Sequence, residues 1–200
     1  VDNDPALIDV SGNGHELTTG GPPSDRLSDY LVLDGTNDYA EFLEQNPIND
    51  TGDLTIEAWI KPDVTSGVQN IVAIGGTSML LSGTSLGLEV NGNGGSFGSA
   101  TLTAGEWTHV AITLDGSTDQ ATYYINGTAF GPVAQSTPMI DAGTTVTIGA
   151  DNSGQAAFDG AIAQVRVFDS VRSTAEIQAD MDTAYYDGQS PAALTNSYPL

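Results

Sequence analysis

Apolar residues recur along this chain in short runs at alternate positions, separated by clusters of Gly, Asn, Asp and Pro. In Leu54-Thr55-Ile56-Glu57-Ala58-Trp59-Ile60, an extended backbone puts Leu54, Ile56, Ala58 and Ile60 on one face and Thr55, Glu57 and Trp59 on the other. From Thr108 to Leu114 the apolar face is Val110, Ile112 and Leu114, opposite His109, Ala111 and Thr113, with Trp107 just ahead. This period of two predicts strands at Leu54 to Lys61 and Trp107 to Leu114. Similar runs predict others at Tyr30 to Asp34, Tyr39 to Leu43, Asn70 to Ile74, Ser78 to Ser82, Leu86 to Asn91, Gln120 to Ile125, Thr128 to Val133, Thr145 to Ile148 and Ala161 to Phe168. Many short strands between turn signals point to a sandwich or barrel, not to alternating βα units.

The turns are written in the same alphabet. Asn126-Gly127 between two β-rich runs is the strongest hairpin signal, because both residues tolerate the positive φ of a type I′ turn. Asp115-Gly116 and Asp34-Gly35 are further turn candidates, and Asn91-Gly92-Asn93-Gly94-Gly95 reads as a mobile loop between strands. One helix is expected near the end: Ser173-Thr174-Ala175-Glu176 is a capping box that introduces Ile177 and Met181 four residues apart. Beyond Gly188, Pro191 and Pro199 predict an irregular tail or linker over 188–200. The pattern predicts an all-β fold, an antiparallel sandwich or barrel, with one short C-terminal helix.

With 200 residues, 39% of them hydrophobic, the chain can bury one sizeable core, so a single domain over 1–200 is expected, with its core at about 7–182. Charge changes the picture more. Against 26 acidic residues stand 4 basic ones, a formal net charge of −22, which argues against nucleic acid and membrane partners because both are held through Lys and Arg. Self-repulsion of that size suits a saline or calcium-rich setting, although a merely solvated acidic surface explains it too. Cysteine is absent, so disulfides and thiolate metal sites are excluded. The start of the chain reads as neither signal peptide nor membrane span, which suggests a module cut from a longer protein.

Taken in order, Leu33-Asp34-Gly35-Thr36-Asn37-Asp38-Tyr39, Leu54 to Ile60, Gly105-Glu106-Trp107-Thr108-His109-Val110-Ala111, Tyr124-Ile125-Asn126-Gly127, Ile148-Gly149 and Phe158-Asp159-Gly160-Ala161 through Phe168 resemble the laminin-G-like jelly rolls of the concanavalin A superfamily. Asp9-Val10-Ser11-Gly12-Asn13-Gly14-His15 resembles the family's opening loop. The resemblance implies an all-β fold class, an antiparallel two-sheet jelly-roll sandwich with one short C-terminal helix. It leaves function open among lectins, adhesins, pentraxins, glycanase-appended modules and some enzymes. Acidic, cysteine-free modules of this kind occur in large, calcium-associated bacterial surface adhesins, so a secreted or cell-surface location, as a monomeric module, is expected.

Calcium takes six to eight oxygen ligands, often from Asp, Asn and backbone carbonyls in turns. The resemblance makes Asp9, Asn13, Asp34 and Asp159 the candidate calcium ligands, with Asp38 flanking the same turn as Asp34. Asx-turns without metal explain the same residues. Where relatives often carry an aspartate after the position of Ile162, this chain has Ala163, which departs from one familiar calcium site. Asp151 and Asn152 enter a loop that holds calcium-borne ligand in pentraxins, and Asn91 and Asn93 offer amides suited to sugar hydroxyls. Solvated turns are the plainer account of all four.

Trp59 and Trp107 invite a sugar-stacking role, but relatives of many functions keep tryptophan there, which favours structural packing. Tyr123, Tyr124, Tyr185 and Tyr186 are alternatives that sequence does not rank. His109 reads as a structural histidine, and His15 has no partner spacing. No Glu-x-Asp-x-x-Glu run, nucleophile elbow or phosphate loop occurs, so no catalytic residue is assigned. The expected function is calcium-assisted carbohydrate binding. A protein- or peptide-binding module and a calcium-rigidified spacer are the alternatives.

Overall fold

The computed structural model describes residues 18–19, 29–43, 52–135, 145–182 and 194–198. Asp9, Asn13, Tyr185 and Tyr186 lie outside them. Two antiparallel sheets are formed. The larger has the order β1 (Thr18–Thr19), β2 (Asp29–Asp34), β13 (Asp159–Phe168), β4 (Leu54–Pro62), β9 (Thr108–Asp115), β10 (Gln120–Ile125) and β11 (Thr128–Ala134), with β14 (Leu194–Tyr198) also on β13. The smaller has the order β3 (Ala40–Leu43), β12 (Thr145–Ile148), β5 (Val68–Ile74), β6 (Thr77–Ser82), β7 (Ser85–Val90) and β8 (Asn93–Thr101). One short helix, α1 (Thr174–Met181), follows β13. An all-β jelly-roll sandwich with a C-terminal helix is what the sequence pattern and the family resemblance together predicted.

The core fills the space between the sheets, and the period of two supplies it. Ile56, Ala58, Ile60, Val110 and Ile112 come from the larger sheet, and Ile74, Met79, Leu81, Leu88, Val146 and Ile148 from the smaller, all nearly inaccessible to solvent. Each of these side chains larger than alanine contributes about 1.5–3 kcal/mol relative to exposure. Tyr123 lies in this core, whereas Tyr124 packs with Ala111 beneath Ile177 of α1, so neither tyrosine is available to a ligand.

In β13, Gln164 has φ 50° and the pairing with β4 shifts between Ala163 and Arg166. This bulge re-phases the strand: Ile162, Val165 and Val167 join the core, and Arg166 and Phe168 turn to the outer face. There Arg166 meets Glu57 (Nη1 to Oε2, 3.8 Å) and donates to the Asp180 carbonyl at 2.9 Å. Arg172 donates through Nε to Asp180 Oδ2 at 3.1 Å, pairs with Glu176 and stacks on Phe168. Helix α1 is thus clamped to the sheet by paired buried charges, with Ser173 and Glu176 forming the expected capping box.

Two expectations are corrected. The glycine-rich stretch after Asn91 is not a mobile loop: Asn91 (φ 53°) and Gly92 (φ 70°) make a hairpin turn, and Asn93 opens strand β8 on β7. A ladder is held by backbone groups, which glycine supplies without the side-chain alternation that marks a strand in sequence. The tail is not irregular throughout. β2 pairs only with Asp159 to Ile162, so the later half of β13 has an open edge, and β14 fills it from Val165 to Phe168.

Candidate functional site

At one end of the sandwich the turn after β2, the β4–β5 connection and the β12–β13 loop enclose an open pocket of about 450 Å³. Asp34 and Asp159 are directly opposed in the β2–β13 ladder and both line it, so two of the four candidate calcium ligands are brought side by side. The approach depends on Gly35, whose φ is 76° and where a Cβ would stand 2.9 Å from that of Asp159. Gly35 N–H donates to the Phe158 carbonyl at 3.1 Å, locking the turn to the start of β13.

The pocket's frame is fully specified. Asp34 Oδ1 accepts from Thr36 N–H at 2.8 Å, an Asx-turn, and Asp34 N–H donates to Oδ2 of buried Asp38 at 3.1 Å. Gln69, 4% exposed, ties the β4–β5 connection to the start of β13: its Oε1 accepts from Asp159 N–H at 2.9 Å, and its Nε2 donates to the Val64 carbonyl at 3.0 Å and to that of Ser66 at 3.4 Å. Asp63 N–H donates to the Asp159 carbonyl at 2.8 Å. Onto this frame Thr36 and Ser66 bring hydroxyls, and Val64 and Val68 bring apolar surface, 40% and 52% exposed. Sequence reasoning missed Val64, Ser66, Val68 and Gln69. The available signal was a pair of β-branched apolar residues in an otherwise polar connection.

The remaining candidates lie elsewhere. Asn152 Oδ1 accepts from Thr147 Oγ1 at 3.1 Å and its amide nitrogen donates to the Gly75 carbonyl, fastening the β12–β13 loop to the β5–β6 turn. Asn91 N–H donates to the Gly76 carbonyl at 2.6 Å beside the same turn, and Asn93 follows it on β8. Burial raises the Asp151 carboxyl, but hydrogen bonds from Gln155 N–H, Ser153 Oγ and Ser153 N–H, all at 2.7–2.8 Å, outweigh this and leave its pKa lowered. The Asp151 and Asn152 side chains shape the β12–β13 loop and do not line the pocket.

On the outer face of the larger sheet, Trp107 meets Tyr30 edge-on at 5.6 Å and Trp59 meets His109 edge-on at 5.5 Å. His109, wholly buried, has Nε2 3.1 Å from Oε2 of equally buried Glu57. Trp59 and Trp107 are half-buried, and each ring makes an aromatic contact on this face.

Two carboxylates on neighbouring strands of one wall can accept hydrogen bonds from adjacent hydroxyls, while the valines take an apolar C–H face. Glycoside hydrolysis instead needs two carboxyls flanking the scissile bond. For a calcium ion, Asp34 and Asp159 supply part of the required six to eight oxygens. Among the described residues no group of three or more acidic or histidine side chains is gathered to hold a metal.

Residues 34–178 match the family model described as the concanavalin A-like lectin/glucanases superfamily. No curated protein matches the chain in sequence. Among solved structures, the chain is similar to a Bacteroides ovatus protein to which carbohydrate binding is ascribed (TM-score 0.62, 20% identity), with 85% of this chain aligned to 48% of that one. It is also similar to the heptameric SAP-like pentraxin of Limulus polyphemus (0.62, 18%, covering 91% and 92%). A third is domain 4 of the extracellular arabinanase of Geobacillus stearothermophilus, solved with arabinotriose (0.63, 17%, covering 84% and 81%). At these identities the likeness is one of fold. The chain spans about half the length of the Bacteroides protein.

Proposed function

Since the chain belongs to the concanavalin A-like lectin/glucanases superfamily, we propose that it is a carbohydrate-binding module whose ligand enters the pocket of Asp34, Asp159, Val64 and Val68. The observation that carries this reading is the meeting, in one open pocket, of paired carboxylates, two hydroxyls and two exposed valines. A sugar ring has both matching surfaces, hydroxyls around its edge and C–H groups on its faces. The Geobacillus domain solved with arabinotriose supports the choice of ligand class. A protein-binding face is less favoured, because the exposed large hydrophobics among the described residues are four valines, two of them already in the pocket.

Calcium belongs to the proposal as an assistant. Asp34 and Asp159 would hold it together with ligands such as Asp9 and Asn13, and a bound ion would offer open positions to sugar hydroxyls. Asp34 and Asp159 in turn fix where the sugar edge sits, because the Asx-turn and Gln69 hold their backbones. Such a module suits a secreted or cell-surface bacterial protein, acting as an adhesin or beside a polysaccharide-acting domain, with no chemistry of its own.

Titration calorimetry against a glycan panel, in calcium and in chelator, tests the proposal. The intact protein should bind at least one glycan, and Asp34→Asn or Asp159→Asn should weaken it about tenfold or more, as expected for loss of a hydrogen bond to a charged group. Calcium should raise the melting temperature of the parent but not of the two variants. Absence of glycan binding, or variants that bind like the parent, would overturn the reading; an unchanged melting temperature would remove calcium from it.

A further inference from the structure

Resting on the glycan-binding reading, we infer that the pocket selects neutral, hydroxyl-rich glycans and refuses those bearing carboxylate, sulfate or phosphate. Recognition of an acidic sugar needs a positive group, most effectively the planar donor fork of arginine. The chain has four basic residues in all, of which Arg26 lies outside the described residues. Two of them, Arg166 and Arg172, are 1% and 8% exposed and spent on Glu57, Asp180 and Glu176 beneath α1. Lys61 lies half-buried on β4 and does not line the pocket. Among the described residues no cationic side chain faces the ligand, whereas Asp34 and Asp159 both do.

Calcium does not reverse the sign. Two carboxylates carry −2 and one divalent ion +2, so a loaded site has no positive excess with which to hold an acid. Around it stands the field of 26 acidic residues, which slows the approach of any polyanion. Against a neutral sugar the same groups work well: a carboxylate accepts from ring hydroxyls, the Thr36 and Ser66 hydroxyls donate or accept, and Val64 and Val68 ask only for C–H surface.

The test uses matched pairs, in calcium and in chelator: neutral arabino-, gluco-, galacto- and manno-oligosaccharides against their uronic-acid or sulfated counterparts. In each pair that binds, the neutral member should be tighter by about tenfold or more, and its affinity should change less than about twofold between roughly 50 mM and 500 mM sodium chloride. An acidic member that binds as well as its neutral partner overturns this inference and leaves the glycan-binding reading standing. If neither member of any pair binds, both fall.

Discussion

Gly160 shows how tightly the site's geometry is set by single positions. Its φ of 141° is open to glycine alone, and a Cβ there would run into the Lys61 carbonyl and come within 2.8 Å of Pro62 Cα. That glycine lets β13 lie close against β4 just where Asp159 enters the pocket, and the Asp159 carbonyl receives Asp63 N–H beside it. Gly160→Ala combines a forbidden backbone region with overpacking, each costing about 1–3 kcal/mol. Urea denaturation of this variant should show a loss of about 2 kcal/mol or more, and a stability within about 0.5 kcal/mol of the parent would contradict the packing described. Residue scale is also where sequence reading was most uneven. Asp34 and Asp159 were singled out through the resemblance to the family's loops, and the structure sets them opposite each other in one ladder. Gln69 was not, because its role rests on a residue ninety positions away in sequence, Asp159, meeting the same amide that holds the local β4–β5 connection.

Among the elements, α1 carries a pH dependence whose sign is fixed by its cap. Hydrogen bonds from Ser173 N–H and Oγ hold the Glu176 carboxyl below its ordinary value of 4.5, with Arg172 adding to them against a small opposing effect of burial. A lowered folded pKa means that this stabilisation is complete above the ordinary value and is lost as pH falls through the folded one. Ser173→Ala should cost about 1 kcal/mol at neutral pH, and the gap between parent and variant should narrow below pH 4.5. Urea melts of both proteins across that range check it; a gap independent of pH would mean the carboxylate does not serve the cap. The capping box was readable from four residues, as were the strands with strict alternation. β8 and β14 were not, since backbone pairing alone holds a glycine-rich strand, and a polar tail gains its partner only when β13 exposes an edge. The bulge at Gln164 belongs to the same class: nothing local in the sequence announces it, yet it decides that Arg166 faces α1 and not the core.

For the molecule as a whole, charge outweighs every local feature. A formal net charge of −22, with two of the four basic residues paired inside, leaves an almost purely acidic exterior that opposes its own folding at low ionic strength. Sodium chloride should therefore raise the melting temperature by several degrees between about 20 mM and 500 mM, with most of the gain below about 150 mM, where the screening length shortens to ~8 Å. A flat or falling curve would show that the buried pairs, not surface repulsion, dominate the electrostatics. Within that exterior, the pocket's mixture of carboxylates, hydroxyls and exposed valines offers an uncharged, hydroxyl-bearing ring a complementary surface. Amide chemical-shift mapping with the best-binding oligosaccharide tests that claim most directly. The account predicts saturable shifts concentrated at residues 34–36, 64–69 and 156–159. Shifts gathered instead around Tyr30, Trp59 and Trp107 on the outer sheet face, with the pocket silent, would contradict it.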